Sequence, residues 1–181
     1  MQADYIITHT NREVWLPAAD PLSIHIEDIG HALSMAPRFA GHMNFFYSVA
    51  QHCLNVSRIL PPHKKLQGLM HDGMEAYLCD IPTPFKVMLG NYDQLENELW
   101  LAIASRYELP VYLDPEVKEA DRIMLMTERD ILKPNSPKWS AKYEAIPRSY
   151  HPGLDITERP WREVKDEFIE TFHVLTELKY F

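Results

Sequence analysis

The chain has 181 residues and a formal net charge of −8 at pH 7, since 26 Asp and Glu outnumber 18 Lys and Arg. That length suits a single domain over residues 1–181, and the acidic balance disfavours a nucleic-acid partner, which would need broad contact with phosphates. With two cysteines, no run of about 18 apolar residues and no signal-peptide core, the sequence predicts a cytoplasmic protein with no membrane partner.

The first residues have the pattern of a short β-hairpin. Two stretches rich in β-branched and aromatic residues, 5–7 and 14–16, form the expected arms of a hairpin over residues 5–15. Pro17 and Pro21 are then expected to break regular structure.

The remainder has the apolar spacing of amphipathic helices. One helix begins near Ile24, and others are expected over residues 47–60, 64–79, 92–107, 115–132 and 160–178. Prolines predict loops at 37–46 and 133–158, and a loop as long as the second is often a lid or an irregular packing segment. The predicted fold class is therefore all-α, a helical bundle with a small N-terminal β-hairpin.

Two imidazoles and two carboxylates interrupt the apolar faces of three of these helices. They are His52 in the second helix, the doublet His71-Asp72 in the third, and Asp121 in the fifth. His52 and His71 lie at comparable distances from the short Pro61-Pro62 connection, so neighbouring helices would hold them at the same height. The alternative for each residue is an ordinary polar side chain with its own hydrogen-bond partner.

These four side chains together predict a divalent metal site. The mixture of nitrogen and oxygen ligands suits Co²⁺, Mn²⁺, Mg²⁺, Fe²⁺ or Ni²⁺ in six-coordination, and Zn²⁺ less obviously. Four protein ligands leave two octahedral positions, one for a water and one for a phosphoryl oxygen. We therefore expect a metal-dependent hydrolase in which water attacks phosphorus.

The order of these residues, H…HD…D, resembles the HD-domain phosphohydrolase superfamily over roughly residues 24–132. The run HDGMEAYLCDIPTPFK over 71–86 is similar to the pattern HD-x-x-E-x-x-x-x-D-[ILV]-P-x-P-x-K of its small nucleotide-cleaving branch. Residues 26–52 resemble the phage-encoded dATP triphosphohydrolases of that branch, which also contains bacterial deoxynucleoside 5′-monophosphatases. The sequence departs from the branch in a connection between His52 and His71 that is shorter than in the monophosphatases.

The resemblance implies two catalytic residues. Glu75 matches the glutamate that activates or orients the attacking water, and in a continuous helix it would share a face with His71. His42, beside Gly41 in the loop before His52, would bind phosphate or protonate the leaving group. A solvated glutamate and a structural histidine are the alternatives.

It also implies four substrate-binding residues. Arg38 and Lys86 are candidates for phosphoryl oxygens, and Asp80 would bind a sugar hydroxyl or orient water. Phe39 stands where the branch has tryptophan, and it would stack on the base or simply pack in the core. A generic surface cation is the ordinary alternative for Arg38 and for Lys86, and a helix-end aspartate before a turn is the alternative for Asp80.

The activity implied is a deoxynucleoside triphosphate triphosphohydrolase acting on purine dNTPs such as dATP. A deoxynucleoside 5′-monophosphatase, that is a 5′-nucleotidase, is the alternative enzyme, and a non-catalytic nucleotide-binding sensor is the alternative of another class. The resemblance further implies a homo-oligomer, and the host cytoplasm as location if the chain is phage-encoded.

Overall fold

The N-terminal hairpin forms as expected. The computed structural model describes residues 5–16 and 18–178, so Pro17 lies outside the described residues. Strands β1 (Tyr5–Ile7) and β2 (Glu13–Trp15) pair antiparallel with Ile6 opposite Val14. The backbone N–H and the hydroxyl of Thr10 both donate to the buried carboxylate of Asp28, which ties the hairpin to the first helix.

Helices make up most of the described chain. In chain order they are α1 (Ile26–Met35), α2 (Val49–Ile59), α3 (Lys65–Met70), α4 (Glu75–Leu78), α5 (Thr83–Lys86), α6 (Tyr92–Tyr107), α7 (Pro115–Leu132), α8 (Ala141–Glu144) and α9 (Trp161–Leu178). The predicted all-α class with a small hairpin is confirmed at this level. Within the described residues, none of the helices combines the length and the apolar character needed to cross a bilayer.

The predicted helices over 47–60, 92–107, 115–132 and 160–178 are confirmed as α2, α6, α7 and α9. Two of them begin at side-chain caps. The Ser48 hydroxyl accepts from the Gln51 N–H, while the Gln51 side chain accepts from the Ser48 N–H, and Asp114 accepts from the Glu116 N–H. The single helix predicted over 64–79 is wrong, because the chain divides there into α3 and α4.

Helix α2 is the centre of the bundle. It packs against α1, α3, α7 and α9, and α9 also covers α1 and α3. Every residue of α2 from Val49 to Ser57 is buried. A helix that is buried on all sides holds any polar group on it away from solvent, so each such group needs a partner.

The long segment over 133–158 is a packing segment fixed to α7. Arg129 of α7 forms an ion pair with Glu144, and Arg148 reaches Asp130 with its Nε atom at 2.8 Å. The Ser149 N–H donates to Thr127 Oγ1 at 2.9 Å. These contacts hold the segment against the bundle. Of the two expectations for this loop, a lid or an irregular packing segment, the contacts favour the packing segment.

Candidate metal centre

Helices α2 and α3 approach closely enough to bring two histidines together. A methyl group added at Gly68 of α3 would lie 2.3 Å from Leu60 Cδ1 and 3.4 Å from Ser57 Cα, so glycine permits this approach. The ring centroids of His52 and His71 are 5.3 Å apart across the interface. The predicted neighbouring placement of these two residues is confirmed.

The His71-Asp72 doublet lies in a tight turn between α3 and α4. The Gly73 N–H donates to Met70 O at 2.8 Å and the Glu75 N–H donates to Asp72 O at 2.9 Å, both spanning three residues. The expectation that Glu75 shares a continuous helix face with His71 is therefore wrong. The tighter turn also lets the neighbouring side chains converge, since Asp72 Oδ2 lies 3.2 Å from His71 Nε2.

Three of the four predicted ligands form a cluster able to hold a metal ion. One donor atom from each of His52, His71 and Asp72 lies within 4.8 Å of the other two. Asp121 adjoins this cluster, with its Oδ1 atom 3.1 Å from His52 Nε2 and 3.8 Å from His71 Nε2. The structure thus brings together side chains from α2, the turn after α3, and α7.

The hydrogen bonds of the two imidazoles occupy Nδ1 on each ring. Nε2 is therefore the atom on each ring that could bind a metal ion. His71 Nδ1 lies 2.8 Å from the carbonyl oxygen of Gly68, so it must carry the proton that it donates. His52 Nδ1 lies 2.8 and 3.0 Å from the carboxylate oxygens of Glu128 and donates likewise. His71 Nε2 is buried and has no hydrogen-bond partner among the described residues. A ring nitrogen that is buried, has no hydrogen-bond partner and faces carboxylates fits a metal ligand that releases its proton when a cation binds.

The ionisation of the cluster points to the same chemistry. Burial and Arg38 act to lower the pKa of His52, but the carboxylates of Glu128 and Asp121 outweigh them and raise it. Burial likewise acts to lower the pKa of His71, yet Asp72 and its other neighbours raise it well above the usual value.

The two carboxyl groups move in the opposite direction. Burial opposes ionisation of Asp72, but His71 and His52 lower its pKa to about 2. For Asp121 burial also acts to raise the pKa, but the hydrogen bond to His52 and the nearby His71 hold it well below the usual range. Two imidazole protons therefore balance two carboxylates, and one divalent cation can replace those protons at equal charge.

Arg38 enters this site from a left-handed turn. The three residues that follow it have positive φ angles of 51°, 51° and 78°, and this turn leaves Arg38 buried. Its guanidinium lies 3.9 Å from Asp72, 3.6 Å from Asp80 and 3.6 Å from Glu128. The structure therefore brings Arg38 and Asp80 to the cluster, with Arg38 bridging three carboxylates.

Glu75 and Lys86 form a second pair beside the cluster. The Lys86 Nζ atom lies 3.4 Å from Glu75 Oε1 and 2.7 Å from Glu96 Oε1. Glu75 is buried, and its Oε2 atom has no hydrogen-bond partner among the described residues. Burial, together with the carboxylates of Asp72 and Asp80, raises the pKa of Glu75 well above its usual value. A buried carboxyl group with a raised pKa and one free oxygen is suited to proton transfer.

Two predicted residues lie further from the ligands. The side chain of Phe39 is half-buried, with its ring centroid 5.8 Å from the Arg38 guanidinium carbon. His42 is exposed and lines a surface pocket with Asn44 and Lys133. In the part of the chain that the structure describes, no hydrogen bond or ion pair joins the His42 side chain to the metal cluster.

The sequence interpretation missed three residues that support the site. Glu128 is fully buried and binds His52, the Tyr47 hydroxyl donates to Glu128 Oε1 at 2.8 Å, and Asn55 donates to the Tyr47 oxygen at 2.8 Å. A signal for Glu128 was present, because it lies seven residues after Asp121 and therefore shares its helix face.

Comparison with known proteins places the chain among bacterial relatives. No family model matches it. It is 35% identical over 175 residues to the uncharacterized protein YfdR of Escherichia coli strain K12, covering 97% of each chain. It is 32% identical over 173 residues to the uncharacterized protein RCAP_rcc00048 of Rhodobacter capsulatus, covering 86% of this chain and 87% of the relative. Similarity at this level over nearly the whole length shows that the chain belongs to the same protein family as YfdR.

Proposed function

We propose that the chain is a divalent-metal-dependent nucleotide phosphohydrolase of the HD-domain type. The observation that supports this best is the convergence of two histidine Nε2 atoms with the Asp72 and Asp121 carboxylates. The same geometry supports all four as ligands of one cation. A divalent cation bound there would supply Lewis acidity toward a phosphoryl oxygen and would activate water.

The residues around the ligands divide into proton-transfer and substrate-binding roles. Glu75, buried and with one free carboxyl oxygen, would accept a proton from the attacking water. Arg38 and Lys86 would contact phosphoryl oxygens, each exchanging part of its present carboxylate contact for the substrate. Asp80 lies beside Arg38 and would accept a hydrogen bond from the sugar. His42 and Phe39 would act at the edge of the site.

The resemblance over residues 26–52 favours a triphosphohydrolase that acts on purine dNTPs such as dATP and releases inorganic triphosphate. The charges around the site favour the second candidate, a deoxynucleoside 5′-monophosphatase. Arg38 and Lys86 are both already paired with carboxylates, namely Asp72, Asp80 and Glu128 for the first and Glu75 and Glu96 for the second. Because these acids leave little spare positive charge, a monophosphate would be repelled less than a triphosphate.

A substrate panel separates the candidates. The purified protein is incubated with Mn²⁺ or Co²⁺ and with deoxynucleoside mono-, di- and triphosphates, and inorganic phosphate and triphosphate are assayed separately. Triphosphate release from dATP supports the triphosphohydrolase, and phosphate release from monophosphates supports the 5′-nucleotidase. Nucleotide binding without any product would instead support the sensor and contradict an enzymatic function.

A further inference from the structure

The side chain that holds His52 in place is Glu128, on the opposite side of the imidazole from the candidate metal. Both residues are fully buried, and the ring nitrogen Nδ1 lies 2.8 Å from one oxygen of the Glu128 carboxylate and 3.0 Å from the other. A ring held on both oxygens of a carboxylate is fixed in tilt as well as in distance. Its Nε2 atom is thereby directed toward Asp72 and Asp121.

Three residues form a network whose hydrogen-bond directions are set by chemistry. Asn55 Nδ2 can only donate, and it lies 2.8 Å from the Tyr47 hydroxyl oxygen. The hydroxyl proton is thus free to point at Glu128 Oε1, which lies 2.8 Å away. Glu128 accepts from Tyr47 and from His52 at once. We call Glu128, Tyr47 and Asn55 the Glu128 network.

The network is anchored in the long segment between α7 and α9. The Asn55 side chain donates to the Asp155 carbonyl oxygen at 2.8 Å and accepts from the Asp155 N–H at 3.1 Å. Two residues further on, the Thr157 carbonyl oxygen accepts from Gln51 at 3.0 Å. The segment therefore binds the polar side chains of α2 on either side of His52, and it fixes the outer end of the network.

We propose that Glu128 is a positioning residue for the metal centre, which keeps the His52 proton on Nδ1 and the Nε2 lone pair directed at the cation, and that Tyr47 and Asn55 hold Glu128 in that role. The inference rests on the proposed function for its metal. A carboxylate behind a metal-binding imidazole fixes the tautomer and increases the basicity of the ligand, and its loss typically weakens metal affinity by about 10- to 100-fold.

The test measures Co²⁺ binding by titration calorimetry and by the visible absorption of the bound ion, in the absence of nucleotide. Glu128→Gln keeps the size of the side chain but removes its charge and half of its accepting capacity, so we expect Co²⁺ affinity to fall by about 10- to 100-fold. Asp28→Asn is the matched control, because Asp28 is also a buried carboxylate that accepts two hydrogen bonds, from Thr10. It should bind Co²⁺ like the unmodified protein.

A loss smaller than about tenfold in Glu128→Gln, an equal loss in Asp28→Asn, or an unmodified protein that binds no Co²⁺ would each overturn the inference. If Glu128→Gln does not fold, Tyr47→Phe decides the matter, since it removes one donor to Glu128 and keeps the carboxylate. Weaker Co²⁺ binding in that variant supports the inference, and unchanged binding overturns it. Because the readout is metal affinity, a protein that binds Co²⁺ but hydrolyses no nucleotide would refute the proposed function alone.

Discussion

The imidazole planes of His52 and His71 are inclined by 54°, and Asp72 Oδ2 lies 3.7 Å from Nε2 of the first and 3.2 Å from Nε2 of the second. Since Nδ1 of each ring is occupied by an acceptor, both rings present the same atom to the same carboxylate. Three donor atoms in that arrangement could hold one cation.

Removal of one ligand should abolish metal-dependent turnover. Asp121→Asn preserves shape but loses the negative charge beside His52 and His71, so we expect hydrolysis and Co²⁺ affinity both to fall by more than the roughly 100-fold typical of a lost supporting residue. Asp166→Asn on the exposed face of α9 is the control. Full activity in metal-stripped Asp121→Asn would refute a role for Asp121 in the centre.

Glu75 should affect chemistry without affecting metal binding. Glu75→Gln removes the proposed proton acceptor, so turnover should fall by about 10²- to 10⁴-fold, while Co²⁺ affinity stays near that of the unmodified protein. Glu96→Gln tests whether the effect arises only through Lys86, the residue that both glutamates contact. Equal losses in the two variants would assign Glu75 to the positioning of Lys86 instead.

The metal-free protein should lose stability as the pH rises above about 6.5. The pKa of His71 is raised in the folded state. Protonated His71 therefore stabilises the fold fully when the pH is below its pKa in the unfolded chain, and this stabilisation disappears as the pH rises through its pKa in the folded protein. His52 acts in the same direction, since its pKa is also raised. Urea unfolding in the presence of chelator, at a series of pH values from 6 to 9, measures the effect.

His71→Gln is the comparison, because it has no ionisable group and should show a weaker decline in stability over this pH interval. Addition of Co²⁺ should oppose the decline in the unmodified protein, since the cation binds neutral imidazoles. A free energy of unfolding that rises with pH over the same interval, without metal, would contradict the charge balance inferred for the cluster.

Backbone strain at Cys79 should be measurable. This residue has φ 68° and ψ 157°, a region in which glycine is favoured, and it joins α4 to Asp80. Such strain costs about 1–3 kcal/mol, so Cys79→Gly should be more stable than Cys79→Ala by about 1 kcal/mol after the greater freedom of unfolded glycine is counted. Urea unfolding of the two variants tests this, and an equal stability would show that the strained conformation costs nothing.

The sequence was sufficient to predict the placement of those site residues that depends only on helical periodicity. His52 and Asp121 stand on helices with clear apolar stripes, and the height of His52 and His71 above their short connection follows from helix geometry. The turn that separates His71 from Glu75 was missed, because only Gly73 interrupts an otherwise helical pattern and glycine is tolerated within helices. The pattern therefore predicted which side chains meet in the cluster but not the path of the chain between them.

The positions of Arg38 and Glu128 depend on tertiary structure. Arg38 reaches the cluster through three consecutive residues with positive φ, two of which, Phe39 and Ala40, are types that rarely adopt this conformation. Glu128 is a glutamate on an amphipathic helix, a residue that is normally solvated, and here it is buried with His52, Tyr47 and Arg38 as its partners. The spacing of Glu128 from Asp121 therefore indicates the helix face that the two share, but not the partners that bury Glu128.

The anchoring of Asn55 to Asp155 has a consequence for biosynthesis. Because chains emerge from the ribosome N-terminus first, His52 and His71 leave the exit tunnel long before Asp121. The backbone groups of Asp155 and Thr157, which form hydrogen bonds with side chains of α2, follow later still. A nascent chain arrested before residue 155 would contain every proposed ligand yet lack these hydrogen bonds to α2. The centre would thus acquire its final geometry only after residue 157 has left the ribosome.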